Sequence, residues 1–268
     1  MSHGFTAAAK KHLGQNFLHE KGVIAKIVQA IDPQPGDVLV EIGPGQGALT
    51  FPLLDRHGEL TAIEFDRDLH APLQAAAAAH GRLHLIEGDV LGVDFTALAA
   101  RGGDARGQIR LVGNLPYNLS SPILFHALDH AGAIRDMHFM LQKEVVERMA
   151  AAPGSKVYGR LSVMLQAYCA VTPLFTVPPG AFRPAPKVDS AVVRLVPKPA
   201  ERIEVADRAT FANVVRAAFG QRRKTLRNAL QGVADPAAIE AAGLRADARA
   251  EQVPVAGFVA LANALPRA

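Results

Sequence analysis

The sequence predicts an open-sheet α/β fold followed by a small all-helical domain, and three observations predict it. Short apolar runs alternate with helical patterns as far as Val196. The first strong strand runs directly into a glycine loop and then a helix, and two later strands end in an acid. That order is the arrangement of a nucleotide-binding βαβ unit. After Pro197-Lys198-Pro199 only helical segments remain.

Composition sets the bounds. The chain has 268 residues, of which 49% are apolar and 20% charged, enough for a real core and too few charges for disorder. A net charge of +4 is compatible with a polyanionic partner without requiring one. The single cysteine, Cys169, excludes an internal disulfide and a cysteine-based zinc site. It lies in the apolar run Leu165–Val171 and reads as a buried small hydrophobe. No apolar signal core opens the sequence, and no eighteen consecutive residues are apolar. The expectation is a soluble cytoplasmic protein with no membrane contact.

Residues 1–20 are too polar and glycine-broken for a core helix and should lie over the surface of the fold. Ile24, Ile27, Val28 and Ile31 then recur at helical spacing, ended by the turn residues Asp32-Pro33 and Pro35-Gly36. Val38–Ile42 is a strand, followed at once by Gly43-Pro44-Gly45-Gln46-Gly47. Gly43 and Gly45 remove Cβ atoms where a cofactor would approach the backbone. A dinucleotide fingerprint would need one more residue in the last gap, and Glu41 is unwelcome beside phosphates but suits an ammonium group. The loop therefore favours S-adenosyl-L-methionine over a nicotinamide dinucleotide, with a purely structural turn as the alternative. Glu59–Glu64 is a second strand, and Glu64 falls 21 residues after Gly43, the distance of a ribose-binding acid. Leu83–Asp89 is a third, and Asp89 either accepts from an adenine amine or caps a helix.

The fourth strand ends in Gly113-Asn114-Leu115-Pro116-Tyr117-Asn118. This places the Asn114 amide, the Leu115 carbonyl and the Tyr117 ring at the carboxyl edge of the sheet, with Pro116 holding Leu115 extended. Two acceptors beside a flat aromatic face suit a planar amine such as the exocyclic nitrogen of adenine, with a plain strand-ending turn, where Asn, Pro and Tyr are common, as the alternative. Ser120-Ser121-Pro122 reads as a helix start. His126 and His130 stand at i and i+4, but with no third ligand nearby no metal is expected. A fifth strand, Asp136–Gln142, and further elements at 143–150, 161–170, 171–177 and 190–196 complete the sheet domain.

The proline-stiffened loop 178–189 carries Phe182 and Arg183; Phe182 is either a second stacking face or an incidental residue of a rigid connector. A domain boundary is expected near 200, giving a sheet domain over 1–199 and a helical domain over 200–268. The helical segments read as 208–220, 222–230, 236–242 and 255–265, and Arg222, Arg223, Lys224 and Arg227 place four cations in six residues. That run is either a solvated face or a phosphate-contact patch.

Taken together, five stretches resemble the ribosomal RNA adenine dimethyltransferases, in particular their small-subunit branch. They are Gly14-Gln15-Asn16-Phe17-Leu18, Glu41-Ile42-Gly43-Pro44-Gly45, Asn114-Leu115-Pro116-Tyr117-Asn118, Phe182 with Pro186-Lys187-Val188-Asp189-Ser190, and Gln221-Arg222-Arg223-Lys224-Thr225. They span nearly the whole chain in the family's order. Gln46 is a departure, where the family often has Leu, and little consequence is expected of it. The resemblance implies a Rossmann-like, class I S-adenosylmethionine-dependent methyltransferase sheet. It assigns cofactor contacts to Asn16, Leu18, Gly43, Glu64, Asp89 and Asn114, with the N-terminal segment closing over the cofactor. It implies transfer of two methyl groups to each of two adjacent adenosines near the 3′ end of 16S ribosomal RNA, in the small subunit or its precursor. A monomer suits docking on so large a particle. Rival readings are a large-subunit adenine methyltransferase of the antibiotic-resistance type and a mainly non-catalytic assembly factor.

Overall fold

The structure, a computed structural model, describes residues 7–221 and 223–267. It contains two compact units, one running to Val146 and including Thr172–Pro197, the other made of Glu147–Val171 and Lys198 onward.

The first unit is built on a seven-stranded sheet. Its strands are β2 (Leu39–Ile42), β3 (Glu59–Glu64), β4 (Arg82–Glu87), β5 (Ile109–Asn114), β6 (Ile134–Gln142), β7 (Cys169–Val177, of which the first unit holds the part from Thr172) and β9 (Ser190–Pro197). A separate two-residue pair joins β1 (Phe17–Leu18) to β8 (Phe182–Arg183). The order across the large sheet is β4-β3-β2-β5-β6-β9-β7. The pairings from β4 through to β6 are parallel, and β9 runs antiparallel to β6. Chain order runs outward in one direction from β2 to β4 and in the other from β5 to β6, so the switch point lies between β2 and β5. In such sheets a crevice opens there, beyond the carboxyl ends of the strands. β2 and β5 are fully inside: every residue of β2 and Ile109–Gly113 of β5 bear the apolar, two-sided burial of parallel strands, except for Glu41 and Arg110.

The crossover helices are α1 (Lys21–Ile31), α2 (Thr50–His57), α3 (Arg67–Ala77), α4 (Phe95–Gly102) and α5 (Ser120–Asp129). Glu20 caps α1 by accepting from the Gly22 and Val23 N–H groups, and Asp66 and Asp94 cap α3 and α4. Ser120 does not cap α5 as the sequence suggests. Its hydroxyl donates instead to the Pro116 carbonyl at 3.2 Å, inside the first turn. The core of this unit gathers Ile27, Ile31, Leu39, Leu53, Leu54, Leu60 and Leu73 with Leu18, Val177 and Phe182.

The second unit holds α7 (Arg160–Tyr168), α8 (Arg208–Gly220), α9 (Leu226–Ala229), α10 (Pro236–Ala241) and α11 (Val255–Ala264); α6 (Lys143–Ala150) enters it. This division corrects the single cut near residue 200. On α7 the residues Ser162, Val163, Met164, Leu165, Ala167 and Tyr168 are all buried, too much of the helix surface for one sheet-facing stripe. α8 and α11 pack against it and supply the cover. A second correction concerns the basic run. The helix expected over 222–230 shrinks to α9, because Thr225 is extended and bridges Arg249 while the Leu226 and Arg227 N–H groups donate to Ala248 and Ala246. Arg223, Lys224 and Arg227 are exposed, and Arg222 lies outside the described residues.

Candidate active site

At the switch point the glycine loop after β2 and the turn after β5 lie side by side, since Glu41 is in register with Val112. The glycine loop forms the floor of a cavity of about 310 Å³. One side is made by Glu64, Phe65, Asp89 and Val90, the other by Asn114–Leu119 and Ile123, and residues 12–18 form the roof.

The floor is fixed through the backbone. Gly43 donates its N–H to Ile63 at 2.9 Å, and Gly45 donates to a Glu64 carboxylate oxygen at 3.1 Å. Gly45 has φ +57°, and a Cβ there would stand 3.1 Å from the Phe17 ring, so the loop is bare because the roof rests on it. The second Glu64 oxygen accepts from the Asp66 N–H at 2.7 Å. Burial raises the Glu64 pKa despite those two bonds. Glu41 is 1% exposed and accepts from the Thr50 hydroxyl at 2.7 Å. Burial, with the nearby Glu64 charge, pushes its carboxyl up to about 8. A carboxyl so strongly shifted by burial, on the lining of a cavity, marks a candidate functional group.

The roof is a tethered segment. Lys10 donates to Asp66 at 2.5 Å and Asp68 at 2.6 Å, and Gln15 donates to Asp66 at 2.8 Å. Burial alone would raise the Asp66 pKa; the bonds from Lys10 and Gln15 outweigh it and the value is lowered. Gln46 donates to the Ala7 carbonyl at 2.9 Å, so the residue from which little was expected is a fastening for the segment. At the far end Leu18 pairs with Phe182 and His19 donates to Ala181. Gly14 has φ +66°, and a Cβ there would meet Asn118 Oδ1 at 2.8 Å, which joins the roof to the turn after β5.

That turn carries the residues expected to act. The Leu115 N–H donates to Met140 at 3.1 Å and continues the β5–β6 ladder. Pro116 is extended and precedes a short 3-10 turn, Tyr117–Leu119. Asn114 donates its Nδ2 to the Asn16 carbonyl at 3.0 Å. Tyr117 lines the cavity and shares a hydrogen bond of 2.6 Å with the Ser190 hydroxyl.

The structure thus brings Asn16, Leu18, Gly43, Gly45, Glu64, Asp89, Asn114, Leu115, Pro116 and Tyr117 around one cavity. Asp89 is exposed there and also caps the turn Val90–Gly92, accepting from Leu91 at 2.9 Å. Phe182 is the correction. It is 2% exposed, belongs to the core and does not line the cavity, because pairing with Leu18 turns its ring inward. His126 and His130 hold the Val93 carbonyl and the Thr96 hydroxyl. Sequence reasoning passed over Phe65, which is 59% exposed on the cavity wall. Its signal was available, an aromatic residue directly after the acid that ends β3.

The sequence matches the ribosomal RNA adenine dimethylase family over residues 6–266. The chain belongs to that family. Membership makes it a methyltransferase of ribosomal RNA adenine, with S-adenosyl-L-methionine as methyl donor. A relative from Xanthomonas campestris pv. campestris (strain 8004), ribosomal RNA small subunit methyltransferase A, is 71% identical over 98% of each chain. Among solved structures, a dimethyladenosine transferase from Plasmodium falciparum is similar at 25% identity and TM-score 0.78, covering 91% of this chain and 95% of that one. The 23S rRNA methyltransferase ErmE is similar at 25% identity and TM-score 0.69, covering 93% and 99%. No helix among the described residues is long and apolar enough to cross a membrane.

Proposed function

We propose that this chain dimethylates the exocyclic N6 of two adjacent adenosines near the 3′ end of 16S ribosomal RNA. It acts as a cytoplasmic monomer on the small subunit or its precursor. The cavity fits the methyl donor. Glu41 offers a buried carboxyl to an ammonium group, the glycine floor leaves room for close approach, and Glu64 and Asp89 offer acceptors to an adenosine. When bound, S-adenosyl-L-methionine supplies an electrophilic methyl group on a sulfonium. Asn16 and Leu18 cover it from the roof.

The observation that carries the mechanism is the Asn114 amide. The Asn16 carbonyl can only accept, so the Asn114 atom facing it is the nitrogen and Oδ1 is the acceptor left for a substrate. Asn114 Oδ1 and the Leu115 carbonyl then accept the two N–H bonds of the adenine amine. Drawing both hydrogens to one side favours a pyramidal nitrogen whose lone pair is free to attack. Tyr117 stacks on the flipped-out base. The rate comes from positioning and fixed dipoles, and the displaced proton leaves for solvent. Exposed Arg223, Lys224 and Arg227, with Arg222, contact RNA phosphates.

Labelled methyl transfer to purified unmodified small and large subunits, followed by mass mapping of the RNA, tests this reading. Dimethyladenosine at two adjacent small-subunit positions is expected. Label confined to the large subunit would overturn it.

A further inference from the structure

Ser190 lies outside the cavity, yet the fold delivers it to the catalytic turn. β9 is antiparallel to β6, so its first residue stands at the carboxyl end of β6, where Gln142 is in register with Ser190. Two residues earlier on the same strand, Met140 is in register with Asn114. Asn114 and Ser190 are therefore placed from opposite sides by the end of β6. Ser190 is 0% exposed, and the Lys143 N–H donates to the Asp189 carbonyl at 2.9 Å, which fixes the chain entering β9. The hydroxyl is held at a rigid strand start, and its 2.6 Å bond goes to the phenol of Tyr117.

A tyrosine ring attached only at Cβ can swing about χ1 and tilt about χ2. A hydrogen bond at the phenol oxygen, the atom farthest from the backbone, limits the swing about χ1, whereas the turn about χ2 has that oxygen on its axis; the faces of the ring stay free. We propose that Ser190 is a positioning residue for Tyr117, pinning the far end of its ring so that the ring keeps the same place against the target adenine through both methyl transfers. This rests on the reading of Tyr117 as the stacking residue. The second transfer makes the greater demand. The amine is then bulkier and carries one N–H, so it has one donor fewer to hold it, and the orientation of the base depends more on the ring. A loosened ring should therefore release base after one transfer more often.

The test uses the full-length protein with unmodified small subunits. Ser190→Ala and Tyr117→Phe remove the same hydrogen bond from its two ends, and Tyr117→Phe leaves the buried position untouched. Each should lower kcat roughly 3- to 10-fold, the worth of one neutral hydrogen bond, with little change in cofactor affinity. The double variant should be no worse than either single one, since both remove one shared interaction. Both should raise the ratio of monomethyl- to dimethyladenosine, a readout that loss of folded protein alone would not move. Ser190→Thr, which keeps the hydroxyl, should restore the ratio. A Tyr117→Phe variant with wild-type kcat and product ratio would overturn the role of Ser190. Tyr117→Ala separates the two levels. Near-normal turnover in that variant would remove the stacking role itself, whereas a large loss there with a silent Tyr117→Phe removes the pin alone.

Discussion

Glu41→Gln should make the chain more stable than the wild type at alkaline pH, by an amount that the burial of Glu41 sets. The folded carboxyl titrates at about 8, against 4.5 for an ordinary glutamate, because it is fully desolvated and its Thr50 bond only partly compensates. Between those values the folded chain holds a proton that the unfolded chain has released. The contribution of Glu41 to stability is thus complete below pH 4.5 and is lost as pH rises through 8. At about 1.4 kcal/mol per pH unit, levelling off near the folded pKa, the wild type loses about 2 kcal/mol between pH 6 and 8. Glutamine has nearly the same volume, can accept from Thr50 and does not titrate, so other groups cancel in the comparison. The chain has no tryptophan, so urea unfolding is best followed by far-ultraviolet circular dichroism at half-unit steps of pH. The gap between variant and wild type should widen by about 2 kcal/mol over that range. A gap constant from pH 6 to 8, or one that narrows, would show that Glu41 does not hold a proton in the folded chain.

Three further outcomes are expected. Asn114→Ala should lower single-turnover methylation by ~10²-fold, the cost of losing one preorganised polar group, while cofactor titration shows a fold still able to bind. Lys10→Ala combined with Gln46→Leu removes two fastenings of the roof, and stopped-flow displacement should show faster cofactor release with the chemical step little changed. Replacing Arg223, Lys224 and Arg227 with Ala should weaken binding to small subunits and reduce the slope of log K against log salt by about 2 to 3, as three phosphate contacts require. An unchanged slope would return those residues to a solvated face.

Most of the site could be read from residues because it is made where strands stop. A glycine loop, two strand-ending acids and Asn114-Leu115-Pro116-Tyr117 each signal a position at the carboxyl edge, and parallel pairing brings such edges together without further information. The failures share a cause. Phe182 looked available because it lies in a proline-rich loop, and only its pairing with Leu18, 164 residues earlier, turns it into the core. The helix expected at 222–230 is shortened by a bridge from Thr225 to Arg249. The burial around α7 is likewise supplied by helices 40 and more residues later. Local pattern carries no record of such partners. Gln46 was undervalued for the same reason, since its worth lies in a carbonyl at residue 7.

The bond from Asn114 to Asn16 has a consequence for how this site can vary. Its acceptor is a peptide carbonyl, a group that every amino acid possesses. Exchanging the side chain at position 16 therefore keeps the acceptor itself, and affects the contact only through the bond by which Asn16 Nδ2 holds the Gly14 carbonyl at 3.2 Å. The information that orients Asn114 is stored in the path of the chain. It is set by the left-handed Gly14, whose carbonyl Asn16 holds, on one side and the Leu18–Phe182 pairing on the other. Changes at those flanking positions, or insertions between them, are where drift in this segment would register as lost catalysis.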